Sequence, residues 1–172
     1  MTTIRTAGED DLADILRIYN HAIETTTAIF EYRPHTIEMR REWFRAKQAA
    51  SLPVLVAAEA GTVQGFGTFG PFRAWPAYKY SIEHSVYVDE AARGRGIGTA
   101  LVQSLLTHAR DRDLHVVMAG ITADNTVSLR LHEKLGFTEV ANIREVGYKF
   151  GRWLDLKFLQ LVLDGPQHPS DS

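Results

Sequence analysis

A single mixed α/β domain is the fold this sequence predicts, and three observations lead to it. Segments with strand-like alternation are interleaved with segments of helical apolar spacing along the chain. A length of 172 residues with 45% hydrophobic composition suits one domain with a real core. A turn rich in glycine and arginine joins a strong strand to an amphipathic helix. The predicted order is βααβββαβαββ, a mixed sheet layered with helices.

The opening Thr3–Thr6 alternates weakly and reads as a first strand. Leu12, Ile15, Leu16, Tyr19, Ala22 and Ile23 then recur at helical spacing, with Glu9, Asp10 and Asp11 ahead of them, where negative charge suits the helix dipole. A second helix is expected from Thr36 as N-cap, burying Met39, Trp43 and Phe44. Val54 to Glu59 and Val63 to Phe69 flank Ala60-Gly61-Thr62 and read as an antiparallel hairpin. Gly65, Gly67 and Gly70 weaken its second strand, and glycines there mark close approach of a backbone or a ligand. A loop from Pro71 to Ala77 leads to a long strand, Tyr80 to Val88, and a helix follows from Ile97 to Arg110 with Leu101, Leu105 and Leu106 inward.

His115 to Ile121 is a continuous apolar run, the pattern of a strand buried on both faces. Asn125 caps a further helix that closes at Gly136, suited to a left-handed residue just past the helix end. Phe137 to Ile143 and Trp153 to Leu163 are strand-like and complete one domain over residues 1–164. The polar segment 165–172, with two prolines, is expected to fray.

Composition excludes several classes of function. Nineteen Lys and Arg against 21 Asp and Glu give a net charge of −2, so no global positive field is available for nucleic acid. The longest apolar run, Val54 to Ala58, is far short of the roughly 20 residues of a membrane span. Met1 to Arg5 carries no apolar signal core, so a cytoplasmic place is expected rather than secretion. There is no cysteine, which removes disulfides, thiolate metal sites and a thiol nucleophile together. The histidines are scattered without ligand spacing, so no metal is expected.

The turn Arg93-Gly94-Arg95-Gly96-Ile97-Gly98-Thr99 carries the chemistry. Alternate glycines let backbone approach a ligand, and the first free amides of the following helix suit phosphate. A purely conformational strand-to-helix turn would use the same glycines. No Gly-Lys-Ser/Thr follows, so this is not a Walker loop, and Thr99 fills the last glycine slot of a dinucleotide fingerprint.

Arg93-x-x-Gly96-x-Gly98 resembles the pyrophosphate loop of the GCN5-related N-acetyltransferases (GNAT), and the Asn-led segment Asn125 to Phe137, ending Leu135-Gly136-Phe137, resembles that family's last helix and turn. Tyr80 to Val88, Leu131 to Phe137 and Gly147 to Leu156 are similar to the phosphinothricin and methionine sulfone/sulfoximine N-acetyltransferase branch. The resemblance implies the GNAT fold, with a central mixed sheet flanked by about four helices. It also implies acetyl-CoA as acetyl donor, an amino acid analogue acetylated on its α-amino group, detoxification, and a homodimer without nucleic acid or membrane partners. Another amine acceptor (a protein N-terminus, lysine or polyamine) and a non-catalytic acyl-CoA sensor are the alternatives.

Direct acetyl transfer needs a base for the ammonium, donors for the thioester carbonyl and a proton for the thiolate. Glu83 is the candidate base, set among Ile82, Val86 and Val88, where burial raises a carboxyl pKa. His84 follows it, and strand alternation turns it to the opposite face, as a second-choice catalytic residue or a buried histidine with a backbone partner. His132 stands where many relatives have a tyrosine acid, and could donate a proton or only contact the sulfur. For the donor, the resemblance implies backbone of Val86, Tyr87 and Val88, the loop Arg93 to Thr99, and Asn125 and Ser128, which also cap their helix. Arg73 is the preferred partner of the amino acid carboxylate. Phe30, Phe72, Trp75 and Tyr78 are candidates for the side-chain pocket, and Lys149 for substrate or interface.

Overall fold

Local signals set most of the elements. Thr36 Oγ1 accepts from the Met39 amide and starts a helix at the expected place, and Asn125 caps the last helix through the Ser128 amide. That last helix stops where Gly136 adopts φ +93°, with the Phe137 amide reaching back to the His132 carbonyl at 3.1 Å. Ala60 and Gly61, both at positive φ, make the two-residue hairpin turn.

The computed structural model describes residues 1–171. Its helices are α1 (Leu12–Thr25), α2 (Ile37–Ala49), α3 (Ile97–Arg110) and α4 (Thr126–Lys134). Its strands are β1 (Thr3–Thr6), β2 (Val54–Glu59), β3 (Thr62–Pro71), β4 (Ser81–Val88), β5 (Val116–Thr122), β6 (Thr138–Lys149) and β7 (Arg152–Val162). They form one sheet ordered β1-β2-β3-β4-β5-β7-β6, and the element order is the expected one. β6 runs six residues beyond the expected Ile143, because the Phe150-Gly151 turn lets Gly147 to Lys149 pair with Arg152 to Leu154.

Two cores sandwich the sheet. Leu101, Leu105 and Leu106 of α3 lie on Leu55, Phe69, Val117, Ala119 and Leu159. On the other face Leu12, Ile15 and Ile18 of α1 and Phe44 of α2 lie on Val54, Val56 and Phe66. Met39, expected inside, is 45% exposed, because Ile37, Arg40 and Phe44 hold the inner face of α2.

The β3 glycines serve packing. A Cβ on Gly65 would stand 2.9 Å from the Tyr87 carbonyl and 3.2 Å from Ile97, and one on Gly67 would stand 3.0 Å from Leu105. The close neighbour is therefore β4 and helix α3, and no ligand is needed to explain these two glycines. The tail, expected to fray, lies against the body: His115 Nδ1 is 2.8 Å from the Gly165 carbonyl, and the Ser170 amide donates to the Tyr80 hydroxyl at 3.2 Å.

The feature that positions the site is a break in pairing. β4 and β5 run parallel and pair only from Ser81–Glu83 to Val116–Met118. Beyond Glu83 the two strands part while β4 stays paired to β3 as far as Val88.

Candidate active site

In an extended strand the amide and carbonyl of one residue point to the same side, and successive residues alternate. The Phe72 amide donates to the Ser81 carbonyl and the Asp89 amide to the Gln64 carbonyl, so odd-numbered residues of β4 turn their main chain toward β3. Val86 and Val88 therefore turn theirs into the gap left by β5. Tyr87, expected beside them, spends its main chain on Phe66 of β3. Its ring lies on the α1 side, 5.5 Å from the Tyr19 ring. The physical reason is strand alternation: only every second residue can face the gap.

The loop before α3 opens onto the same region. Gly94 and Gly96 hold φ +76° and +78°, which sets the chain into the helix without a capping side chain. The first helical hydrogen bond runs from the Ala100 amide to the Gly96 carbonyl, so Ile97, Gly98 and Thr99 keep amides without an intrahelical acceptor. Gly98 lies beside the gap, since a Cβ there would meet Leu131 of α4 at 3.2 Å and Val88 at 3.6 Å. Of the two loop arginines, Arg95 is paired to Glu59 at 2.5 Å, and Arg93 is in no ion pair among the described residues. The Asn125 carboxamide is engaged as the cap of α4, accepting from the Ser128 amide at 3.2 Å.

Glu83 and His84 point to opposite faces, as alternation requires. Glu83 is half-buried against Gly120 of β5, where a Cβ would stand 2.9 Å from Glu83 Oε1 and 3.4 Å from the Phe158 ring. Burial raises its carboxyl above the usual range, and the nearby Arg73 charge pulls partly back. Arg73 itself is exposed, lies 4.0 Å over the Phe72 ring, and donates to the Phe72 carbonyl. Phe72 in turn contacts Tyr78 at 5.9 Å and Phe158 at 6.0 Å. Glu83, Arg73, Phe72 and Tyr78 are thus brought together, and Gly120 and Phe158 join them without having been expected.

On the α4 side His84 and His132 are both buried, with their Nε2 atoms 2.9 Å apart. His84 Nδ1 lies 3.1 Å from the Met118 carbonyl, and His132 Nδ1 lies 2.7 Å from the Ser128 carbonyl and 3.4 Å from its hydroxyl. Burial and the charge of His132 push His84 down to about 3, and burial lowers His132 below the usual imidazole range. No sequence spacing links residues 84 and 132; the sheet topology makes the pair.

Three expected pocket residues make other contacts or stand open to solvent. Lys149 Nζ donates to the carbonyls of Ile23, Thr26 and Ile29, at 2.6, 2.9 and 2.8 Å. All three protons are spent on tying the end of α1 and the following loop to β6, so none is left for a substrate. Phe30 lies on Gly147 of β6, where a Cβ would meet its ring at 2.4 Å. Trp75 is 76% exposed. Among the described residues no group of three or more His, Asp or Glu is placed to hold a metal, and no helix is long and apolar enough to cross a membrane.

Comparisons with known proteins agree with this mixed sheet and its four helices. The Acetyltransferase (GNAT) family model matches residues 15–137. This chain belongs to the GNAT acetyltransferase family. It is 47% identical over 162 residues to the L-methionine sulfoximine/L-methionine sulfone acetyltransferase of Salmonella typhimurium, covering 94% of this chain and 95% of that one. It is 40% identical over 163 residues to the phosphinothricin N-acetyltransferase of Streptomyces coelicolor, covering 93% and 95%. Among solved structures, yncA of Salmonella typhimurium, described as an acetyltransferase with its cofactor acetyl-CoA, superposes with a TM-score of 0.95 at 46% identity, covering 98% of each chain. A GNAT phosphinothricin acetyltransferase of Sinorhizobium meliloti, in complex with acetyl-CoA, superposes with a TM-score of 0.91 at 32% identity, covering 94% and 88%.

Proposed function

We propose that this GNAT protein acetylates the α-amino group of a small amino acid analogue, of the methionine sulfoximine, methionine sulfone or phosphinothricin kind, with acetyl-CoA as donor. The observation that carries the reading is the gap between β4 and β5, which has Glu83 on one face and the His84–His132 pair on the other. A detoxifying role in the cytoplasm belongs to the same reading, supported by relatives named for acetylation of methionine sulfoximine, methionine sulfone and phosphinothricin.

The residues present fit acetyl-CoA. The free amides of Ile97, Gly98 and Thr99 suit its pyrophosphate, with Arg93, Gly94, Arg95 and Gly96 around them. The gap-facing main chain of Val86 and Val88 suits the amide-bearing arm, and Asn125 and Ser128, at the start of α4, are its further candidate contacts. Acetyl-CoA supplies the acetyl group as a thioester, already activated for attack by an amine.

Glu83 takes the proton from the acceptor ammonium, directly or through a water, and its raised pKa suits it to hold that proton. Arg73 holds the acceptor carboxylate, one carbon from the amine and close enough to Glu83 for the two charges to interact. The Val88 amide, fixed by the strand, donates to the acyl carbonyl oxygen. The proton for the departing sulfur comes from the His84–His132 pair, in which Nδ1 of His132 is held at the Ser128 carbonyl and Nε2 faces His84. No side chain needs to carry the acetyl group, which agrees with the missing cysteine.

A homodimer belongs to the same reading. Val146, Tyr148, Phe150 and Trp153 are each 48–61% exposed along the β6–β7 hairpin, an apolar surface suited to a second copy. The test of the activity is thiol release from acetyl-CoA, screened over methionine sulfone, methionine sulfoximine, phosphinothricin, lysine and spermidine. Release with the first three supports the reading. Release only with lysine or spermidine would replace it, and acetyl-CoA binding with no release would leave a sensor.

A further inference from the structure

Arg40 is the one residue of α2 whose place contradicts its chemistry. It follows Ile37 and precedes Phe44 at helical spacing, on the inner face, and is only 2% exposed. Its guanidinium lies 4.0 Å from the Tyr19 ring centre and 4.6 Å from that of Trp43. Nη2 lies 3.1 Å from His35 Nδ1, which must accept because arginine only donates. Nε has no hydrogen-bond partner, and no carboxylate forms an ion pair with Arg40 among the described residues. A buried cation without a counter-charge is costly, and stacking on two rings offsets only part of that cost.

Arg40 also lines a cavity of about 530 Å³ between α2 and the sheet. Tyr19, His35, Trp43, Lys47 and Ser85 line it too, with Glu42 on the exposed side of α2. Lys47, half-buried, donates to the Phe69 carbonyl at 2.8 Å and brings a second cation to the same wall. The cavity is large enough for the end of a small metabolite. Ser85 and Tyr87 lie on the same face of β4 as Glu83, one and two side-chain steps along it. Each step is about 6.7 Å.

That spacing decides which end of an acceptor reaches Arg40. An amine at Glu83 has its α-carboxylate one carbon away, within reach of Arg73. A group four or five bonds further along the side chain extends one strand step, to the cavity. We propose that this cavity is an anion subsite in which Arg40, assisted by Lys47, takes the acidic oxygens at the far end of the acceptor side chain, a phosphinate or carboxylate. The inference deepens the amino acid reading above and rests on it. It makes acceptors with a distal anion better held than those with a neutral polar end.

The test compares phosphinothricin, anionic at its far end, with methionine sulfone, neutral there, in the wild type and in Arg40→Gln and Lys47→Met. Arg40→Gln is expected to raise KM for phosphinothricin about tenfold or more, the loss typical of a charged hydrogen bond. KM for methionine sulfone should change far less, and the Kd for acetyl-CoA should hold. Equal rises for both acceptors, or no rise for either, would overturn the subsite. Lys47→Met, at the half-buried wall, should shift KM in the same selective sense by a smaller factor, which keeps the question open to test if Arg40→Gln does not fold. Calorimetric titration of phosphinothricin into the enzyme without acetyl-CoA separates the two readings. Binding that Arg40→Gln and Lys47→Met weaken supports the subsite even if no acetyl transfer occurs, and wild-type binding that neither variant weakens refutes it.

Discussion

The Nε2 atoms of His84 and His132 face each other at 2.9 Å, while the Nδ1 atom of each ring faces a backbone carbonyl, Met118 for His84 and Ser128 for His132. Carbonyls only accept, so these three contacts need three N–H protons. Two neutral imidazoles carry two. A third proton would complete the arrangement, and burial, which lowers both rings, makes any proton taken up there easy to give up.

This predicts the behaviour of the acid step. His132→Ala should lower kcat by about a hundredfold with acetyl-CoA, within the range for a lost general acid. The loss should shrink with donors whose thiol has a lower pKa. Equal losses across such a donor series would remove His132 from the acid role. Imidazole nitrogen NMR of the wild type should show both Nδ1 atoms protonated.

The same pair governs acid stability. With its pKa lowered to about 3, His84 resists a proton that the unfolded chain accepts near the ordinary imidazole value of about 6.5. The stability that this supplies is complete above about 6.5 and is lost as pH falls toward 3. Denaturant midpoints measured between pH 7 and 4 should fall, and His84→Asn should flatten the slope. A slope unchanged by that substitution would assign acid unfolding to other groups.

Glu83 has the opposite sign. Its raised pKa means that the folded protein favours the protonated carboxyl, and this stabilisation is lost as pH rises through the raised value. Glu83→Gln should therefore raise Tm at neutral pH while lowering kcat about 10²- to 10⁴-fold. In the wild type the acidic limb of kcat should lie above the ordinary carboxylate range, and in the variant it should vanish. A variant that keeps wild-type kcat would show that the base is elsewhere.

Lys149 is a structural cation by its three carbonyl contacts. Lys149→Met strands those acceptors, each costing about 1–3 kcal/mol, so the protein should lose about 3 kcal/mol or more. Thermal unfolding should shift down by about 6 °C or more. A changed acceptor KM at unchanged Tm would return Lys149 to the substrate.

Gly65→Ala tests the seat of α3. The added Cβ would stand 2.9 Å from a backbone oxygen, Tyr87 O, which cannot swing aside. Overpacking of this kind costs about 1–3 kcal/mol. Chemical denaturation gives the measurement, and a neutral result would mean that β3 and β4 can separate locally.

Much of the candidate site was legible in the chain because its signals are local. The Arg93–Thr99 turn, the Asn125 cap and the alternation that separates Glu83 from His84 depend on neighbours a few residues apart. The inward place of Arg40 was not legible: the expected inner face of α2 was Met39, Trp43 and Phe44, and a cation is not read as a core residue without the rings that cover it. The donors of Lys149 were not, because carbonyls more than a hundred residues away consume them.

By itself the sequence determined the element order and the glycine-led start of α3, since periodicity, caps and glycine conformations act within a few residues. Only the tertiary structure decided where β4 leaves β5, which residues of β4 turn into that gap, and that His132 meets His84. Those are relations between segments distant in the chain, set by sheet order and packing, and no local pattern encodes a distance between them.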